Sequence, residues 1–546
     1  MRTTILYILC ILLIVHTGCR KEELNVQNPN SPTPESAKTE AGILSLSLGA
    51  VYQTGFNGIT DTKYSGSFLG SSFWFLAPAY HDLMADVISA EAANNIINQV
   101  SVPDYVIFDD GTKVTNTAPA KEVTRLNNSR TKAGSNMFYF EWTWMYYLNN
   151  ACNLILETLD NVSFTGDAAT KKNTLKAWAY FWKGYAYSRI GSIYYGGIIK
   201  NESTQKNSLY KSSAEIIAEA DANYNKAIEA LNGITTLADY NTMIKALIPT
   251  QCQTGKGGAL TPAMWVHTIN TMKARNILVN KRVKDMTATD WNNILALVNN
   301  GVSSSDLVFT GRSASAGSFL SATTGSVAAM TTGDPTSTTY KISERLIQEY
   351  KTGDKRLANN FSQVTAYLNQ KGGFTFSTRY RLLDGGSAMS GVQVISSRTV
   401  GAYELYIAAT WEENELMKAE ANIKLNNIAA GLAGVDAVRT YQGAGLSAVS
   451  GVVTDPAEAY EELRRERRVS LLFRNVALYD SRRWGYLDDI ATGGTGRTNA
   501  VVVSSTGVVN TKATINYNFW DYWDVPEDEL ALNPPADGSA PVRNPK

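Results

Sequence analysis

Apolar positions recur at helical spacing over most of this chain. Phe138 to Leu159 carries Trp142, Met145, Tyr146, Asn149 and Asn153 along one face, and Trp144, Tyr147, Leu148, Ala151 and Ile155 along another. That pattern predicts a helix buried nearly all round. Lys171 to Tyr195 follows, with Trp178, Phe181, Trp182 and Tyr185 at i, i+3, i+4 and i+7, a spacing that reads as helix core and not as a ligand platform. Ser212-x-x-Glu215 has the capping-box spacing, and behind it Ile217, Ala220, Tyr224, Ile228 and Leu231 form one stripe. Shorter helices are expected over Thr39 to Gln53 and Tyr80 to Asn95, and a helix pair over Tyr403 to Arg439. In Asp455 to Gly485, Asp455 is a cap, Pro456 fits the first helical position, and Val469, Leu472, Phe473, Val476 and Tyr479 continue one apolar face beyond two turns.

Between the helical blocks the pattern breaks down. Residues 302–339, 372–398 and 491–511 are rich in Ser, Thr, Gly and Val, with short alternating runs such as Phe374-Thr375-Phe376. They read as long loops and a few short strands displayed on a helical scaffold, and their length favours a binding role over passive connection. The pair 171–195 and 212–231 is similar to a tetratricopeptide unit: Gly184, Ala186 and Ala227 permit close approach, and YNKAIEAL resembles that repeat's second helix. The expected fold is therefore mainly α, with tetratricopeptide-like helix pairs in one large domain over 39–546.

Composition narrows the function. Fifty basic and fifty acidic residues give no net charge, hence no general attraction to nucleic acid or to an anionic membrane. Met1 to Gly18 reads as a signal peptide, with Arg2 ahead of a short apolar run from Ile5 to Val15. Thr17-Gly18-Cys19 resembles a bacterial lipobox, which implies a lipid on Cys19. Arg20, Lys21, Glu22 and Glu23 resemble a surface-export tag, and 19–38 reads as a Pro-rich tether. With Cys10 in the signal, only Cys152 and Cys252 remain, and whether they pair stays open.

The helix after Asp455 is dense in charge. Glu461, Glu462, Arg464, Arg465, Glu466, Arg467 and Arg468 lie three and four residues apart, which reads first as a solvated face with pairing along the helix. The sharper alternative sends some arginines inward to carboxylates on other helices. Catalytic signatures are missing: the two histidines beyond the signal, His81 and His267, form no triad pattern, and no G-x-S-x-G, H-E-x-x-H or P-loop occurs. His81 with Asp82 and Asp86 has weak metal spacing and reads as a satisfied histidine.

ELRRERRVSLLFRNVALYDSRRWG resembles the Arg-rich segment near the C-terminus of the SusD/RagB family of surface nutrient-binding lipoproteins, matching at Arg467, Phe473, Asp480, Arg483, Trp484 and Gly485. It departs where the family has Glu-Gly, here Arg474-Asn475. The tether's N-P-N-x-P-T run, the AATWEENELMKAEANIKL stretch and the close at Pro526, Glu529, Asn533 and Pro534 are similar too. The resemblance implies a non-enzymatic, cofactor-free outer-membrane lipoprotein. It implies that this lipoprotein sits over a SusC-like TonB-dependent transporter and passes on an oligosaccharide or a peptide. A sugar receptor needs flat rings to stack on pyranoses and a few planar polar groups. Loop aromatics are the expected ligand contacts: Trp74 and Phe75, then Tyr80, Phe319 and Tyr380. A glycan-cleaving lipoprotein and a purely structural tetratricopeptide-like protein are the rivals.

Overall fold

Caps set where the long helices begin in the computed structural model, which describes residues 36–53, 76–92, 95–315, 319–369 and 376–546. We label the longer helices α1 (Glu40–Leu48), α2 (Leu76–Met84), α3 (Met137–Thr158), α4 (Ala168–Ile193), α5 (Ser213–Asn232) and α6 (Leu237–Leu247). They continue as α7 (Pro262–Val279), α8 (Ala288–Val298), α9 (Trp411–Lys424), α10 (Ile428–Tyr441), α11 (Pro456–Ser470) and α12 (Ala477–Arg483). Ser212 and Glu215 form the expected capping box on α5, and Thr287 with Asp290 forms another on α8. Asp455 accepts from the amides of Ala457 and Glu458, both at 2.9 Å, and Pro456 stands at the first position of α11. Each such cap is worth about 1 kcal/mol, so the starts are locally encoded.

The helices pack in sequence, α3 on α4, α4 on α5, α5 on α7, α7 on α8, α8 on α9, and α9 with α10 under α11. This is the expected mainly α architecture of tetratricopeptide-like pairs. Gly184 is where α4 meets α5: a Cβ there would lie 2.6 Å from the Tyr224 ring. Trp178, Phe181 and Trp182 are fully buried and meet Trp265 and Phe309 edge-on or tilted, at centroid distances of 5.2–6.1 Å. They are core, as their spacing predicts. A smaller apolar cluster of Leu278, Trp291, Ile294 and Met417 joins α7, α8 and α9.

Three expectations need correction. Helix α3 is not buried all round, since Tyr147 and Leu154 are exposed. The helix expected over Tyr80 to Asn95 ends at Met84, after which Asp86 turns with φ 53° into strand β1 (Ile88–Ala90). The apolar face from Val469 to Tyr479 is not one helix either. Phe473 and Asn475 take left-handed φ values of 57° and 61° and break α11 from α12. All five residues of that face are still buried, so the periodicity marked burial correctly and continuity wrongly.

Strands are few. β2 (Tyr105–Ile107) and β3 (Lys113–Thr115) join β7 (Arg497–Val503) and β8 (Val509–Asn516) in an antiparallel sheet of order β7-β8-β2-β3. The stretch 491–511 is thus largely a hairpin. β1 pairs with β4 (Tyr340–Ile342), and β5 (Phe361–Tyr367) pairs antiparallel with β6 (Thr378–Leu382). Cys152 and Cys252 are both buried and unpaired. Among the described residues no helix is long and apolar enough to cross a membrane.

Candidate functional site

The charge-dense helix α11 faces inward, which overturns its reading as a solvated face. Arg464 reaches Glu349 with both terminal nitrogens, at 3.0 and 2.7 Å. Glu466 accepts from Arg356 at 2.6 Å and Arg439 at 2.8 Å. Arg467 donates to Asp480 at 2.9 Å, and Arg483 bridges Asp480 at 2.7 Å to both oxygens of Glu420 at 2.6 and 2.7 Å. Arg468 donates to the carbonyls of Ala85 and Asp86. Burial alone would raise the Glu349 carboxyl, but the guanidiniums of Arg497, Arg464 and Arg468 hold it down at about 2. Only Arg465, with Glu461, stays at the surface. The network is therefore scaffold: its charged groups are paired with one another, although Arg439 Nη1, Arg467 Nη1 and Arg468 Nε make no hydrogen bond.

At the break between α11 and α12, Asn475 accepts from His81 Nδ1 at 3.1 Å, and His81 Nε2 lies 2.8 Å from Glu141. His81 is thereby a core histidine, bonded at Nδ1, while Nε2 makes no hydrogen bond despite its nearness to Glu141. Beside it lies a cavity lined by Asp82, Tyr403, Tyr406, Phe473, Arg474 and Asn475. Its volume is about 30 Å³, room for a water molecule or two and not for a sugar.

A ligand-sized concavity lies elsewhere. The β5–β6 hairpin and the segment from Glu344 to Ala358 enclose an open cleft of about 640 Å³, inside the range of roughly 300–1,000 Å³ usual for small-molecule sites. Gln363 and Tyr380 are directly opposed across the hairpin and both face the cleft, Tyr380 half-buried and Gln363 exposed. Phe361 packs edge-on against Tyr350, centroids 5.6 Å apart, behind them. The cleft's two carboxylates are committed. Glu344 accepts from the Arg379 amide at 2.6 Å and its guanidinium at 2.8 Å, while Asp354 caps the short helix Lys355–Asn360 and pairs with Arg356 at 2.8 Å. Lys351 reaches Glu462 at 2.5 Å, and Lys355 is exposed at the cleft. Two other concavities, by the β7–β8 turn and by Arg130, are smaller, about 300 and 420 Å³.

The expected ligand aromatics do not come together. Trp74 and Phe75 lie outside the described residues, as does Cys19. Tyr80 stands on α2, 1% exposed, its ring stacked on Phe140, so it is core and not a loop aromatic. Phe319 is equally buried, against Tyr403. Tyr380 alone of the five lies, among the described residues, on a cleft. Lys355 and Gln363 were missed; the polar alternation of β5 was the available signal, and it says which face a residue shares but not what that face adjoins.

Helix pairs in an array, a buried ionic scaffold and an open cleft with a ring on its wall together define a helical scaffold protein with a ligand-sized site. The sequence model of the SusD family matches residues 415–537, which span α9 to the C-terminal close. Surface glycan-binding protein A from Bacteroides thetaiotaomicron shares the fold, with TM-score 0.55 at 14% identity over 94% of this chain and 100% of that one. A SusD superfamily protein from Parabacteroides distasonis gives TM-score 0.55 at 12% identity, over 92% and 98%. A SusD-like carbohydrate binding protein from Bacteroides fragilis gives 0.50 at 15%, over 85% and 99%. No curated protein sequence matches the chain. The chain is SusD-like in its fold, and its residues 415–537 are similar to the SusD family.

Proposed function

We propose that this protein is a cell-surface lipoprotein that binds a glycan in the cleft beside Tyr380 and passes it, unhydrolysed, to a TonB-dependent outer-membrane transporter. The observation that carries the reading is the cleft itself: ligand-sized, open at one side for a chain longer than one sugar, with a half-buried ring and an exposed amide opposed on its wall. A ring face and a planar amide are what a pyranose needs for stacking and for fixing hydroxyls. The two glycan-binding relatives support the ligand class. The lipobox-like Thr17-Gly18-Cys19 supports the lipid anchor, and through the family resemblance the transporter partner.

Binding without hydrolysis follows from the carboxylates. A glycosidase needs one carboxylic acid free to give a proton and a second free to attack or to activate water. Glu344 and Asp354 are each already engaged by a guanidinium and by a backbone amide, so neither is free for that work. Calorimetry of the full chain against a panel of oligosaccharides and peptides tests the reading. Saturable binding of a saccharide without product, weakened at least about tenfold by Tyr380→Ala, is expected from the loss of one stacking ring. Peptide binding in its place, or saccharide binding that Tyr380→Ala leaves unchanged, would overturn it.

A further inference from the structure

We infer that the cleft selects an acidic oligosaccharide, one whose sugar rings carry carboxylate or sulfate groups. This rests on the cleft being the glycan site. Its charged lining is arranged with the negative groups inside and the positive groups outside. The side chains of Glu344 and Asp354 are each 1% exposed, whereas those of Arg379 and Lys351 are 27% and 35% exposed and Lys355 is exposed outright. Buried carboxylates that are already paired present little field to a ligand, and cations at the mouth present theirs to solvent and to whatever enters.

Lys355 is the group left over. Arg379 is taken by Glu344 and Lys351 by Glu462, but among the described residues no carboxylate pairs with Lys355. Its backbone amide is tied to the Ala444 carbonyl at 2.9 Å, and its stem lies across Gly445, where a Cβ would come within 2.7 Å of Lys355 Cε. Gly445 itself has φ 67°, a conformation that suits glycine, and its bare Cα leaves the lysine stem its course. A lysine whose stem is confined loses less freedom on meeting an anion than a free one. It stands on the same cleft as Tyr380. A sugar stacked on the ring would thus bring a ring carboxylate or sulfate to an ammonium that has no partner among the described residues.

The test uses the full chain with three probes of matched length: oligogalacturonate, its methyl ester, which keeps the sugar backbone and removes the charge, and a chondroitin sulfate oligosaccharide. Binding of at least one charged probe, weakened about five- to tenfold by Lys355→Gln and by raising the salt from about 0.05 to 0.5 M, is expected for a partly exposed charge contact. Loss on esterification would assign carboxylate, and chondroitin sulfate binding that desulfation of the probe abolishes would assign sulfate. Equal binding of the ester, or a neutral glycan that binds in a Tyr380-dependent way while Lys355→Gln changes nothing, would overturn the inference and leave the cleft standing. Failure of every saccharide to bind, or binding indifferent to both variants, would overturn the cleft reading beneath it.

Discussion

Asp82 shows how one carboxyl can work against the fold that holds it. It is 1% exposed, one of its oxygens has no hydrogen-bond partner, and burial pushes it up to about 7 against the pull of Arg468. In the unfolded chain its value is near 3.8. Between those two values the folded state keeps a proton that the unfolded state has released, so stability from this group falls as pH rises from about 4 to about 7. Asp82→Asn keeps the shape and removes the charge. Thermal unfolding should therefore rise in the variant by more at pH 8 than at pH 4, with a difference of at most about 4 kcal/mol. A shift of the same size at both pH values would show that the Asp82 charge is not what costs stability. Asn475 works in the opposite sense. It occupies a left-handed position where the family resemblance has glycine, and asparagine tolerates that backbone while its amide oxygen accepts from His81.

At the scale of elements, the α11–α12 unit is held by pairs that span long stretches of chain. Arg483 is fully buried between Glu420 of α9 and Asp480 of its own helix. Replacing it with methionine would leave the buried Glu420 carboxylate without a cation, while Asp480 keeps Arg467. A loss of about 3–5 kcal/mol is expected, read as a fall in the urea midpoint. The double variant Glu420→Leu/Arg483→Met should regain most of that, because the uncompensated charge and not the pair itself sets the penalty; no recovery would sink the account. This is also where sequence reasoning stopped. Caps are local, so the starts of α5 and α11 were legible from three or four residues. The inward turn of the arginines was not, because the partner of Arg464 is Glu349, 115 positions away, and surface pairing with Glu461 satisfies the same local pattern. The end of α11 was hidden for a similar reason: Leu472, Phe473 and Val476 keep burial periodicity through a break made by backbone φ alone. The cleft was half legible. Tyr380 announces a ring in a polar stretch, but only pairing with β5 and the approach of the Lys355 helix make a site of it.

For the whole molecule, the segment that matches the SusD family cannot be a separable unit. Residues 415–537 contain Arg464, Glu466 and Arg468, but their partners Glu349, Arg356, Ala85 and Asp86 all lie before it. Its C-terminal part is spent on the other end of the chain. The Trp523 amide donates to the Ile193 carbonyl at 2.7 Å, its carbonyl accepts from Tyr195 at 2.8 Å, and its ring stacks on Phe138. Glu529 accepts from Trp142 Nε1, and the Asn533 side chain donates to the Asn207 carbonyl. Of the residues that carry the family resemblance, Arg467, Asp480 and Arg483 tie α11 and α12 to α9, and Glu529 and Asn533 tie the C-terminal close to α3 and to Asn207; such ties say little about the ligand. An isolated fragment 415–537 would leave those arginines and carboxylates without their partners, at several kcal/mol for each charge kept buried, and would turn apolar core surface to solvent. It should show no cooperative urea transition and poorly dispersed amide resonances. Mixing it with a chain of residues 36–414 should restore both, since the missing partners all lie there. A two-state transition in the fragment alone would mean that α9 to the C-terminus holds its own core, and that the long-range ionic ties orient a finished domain.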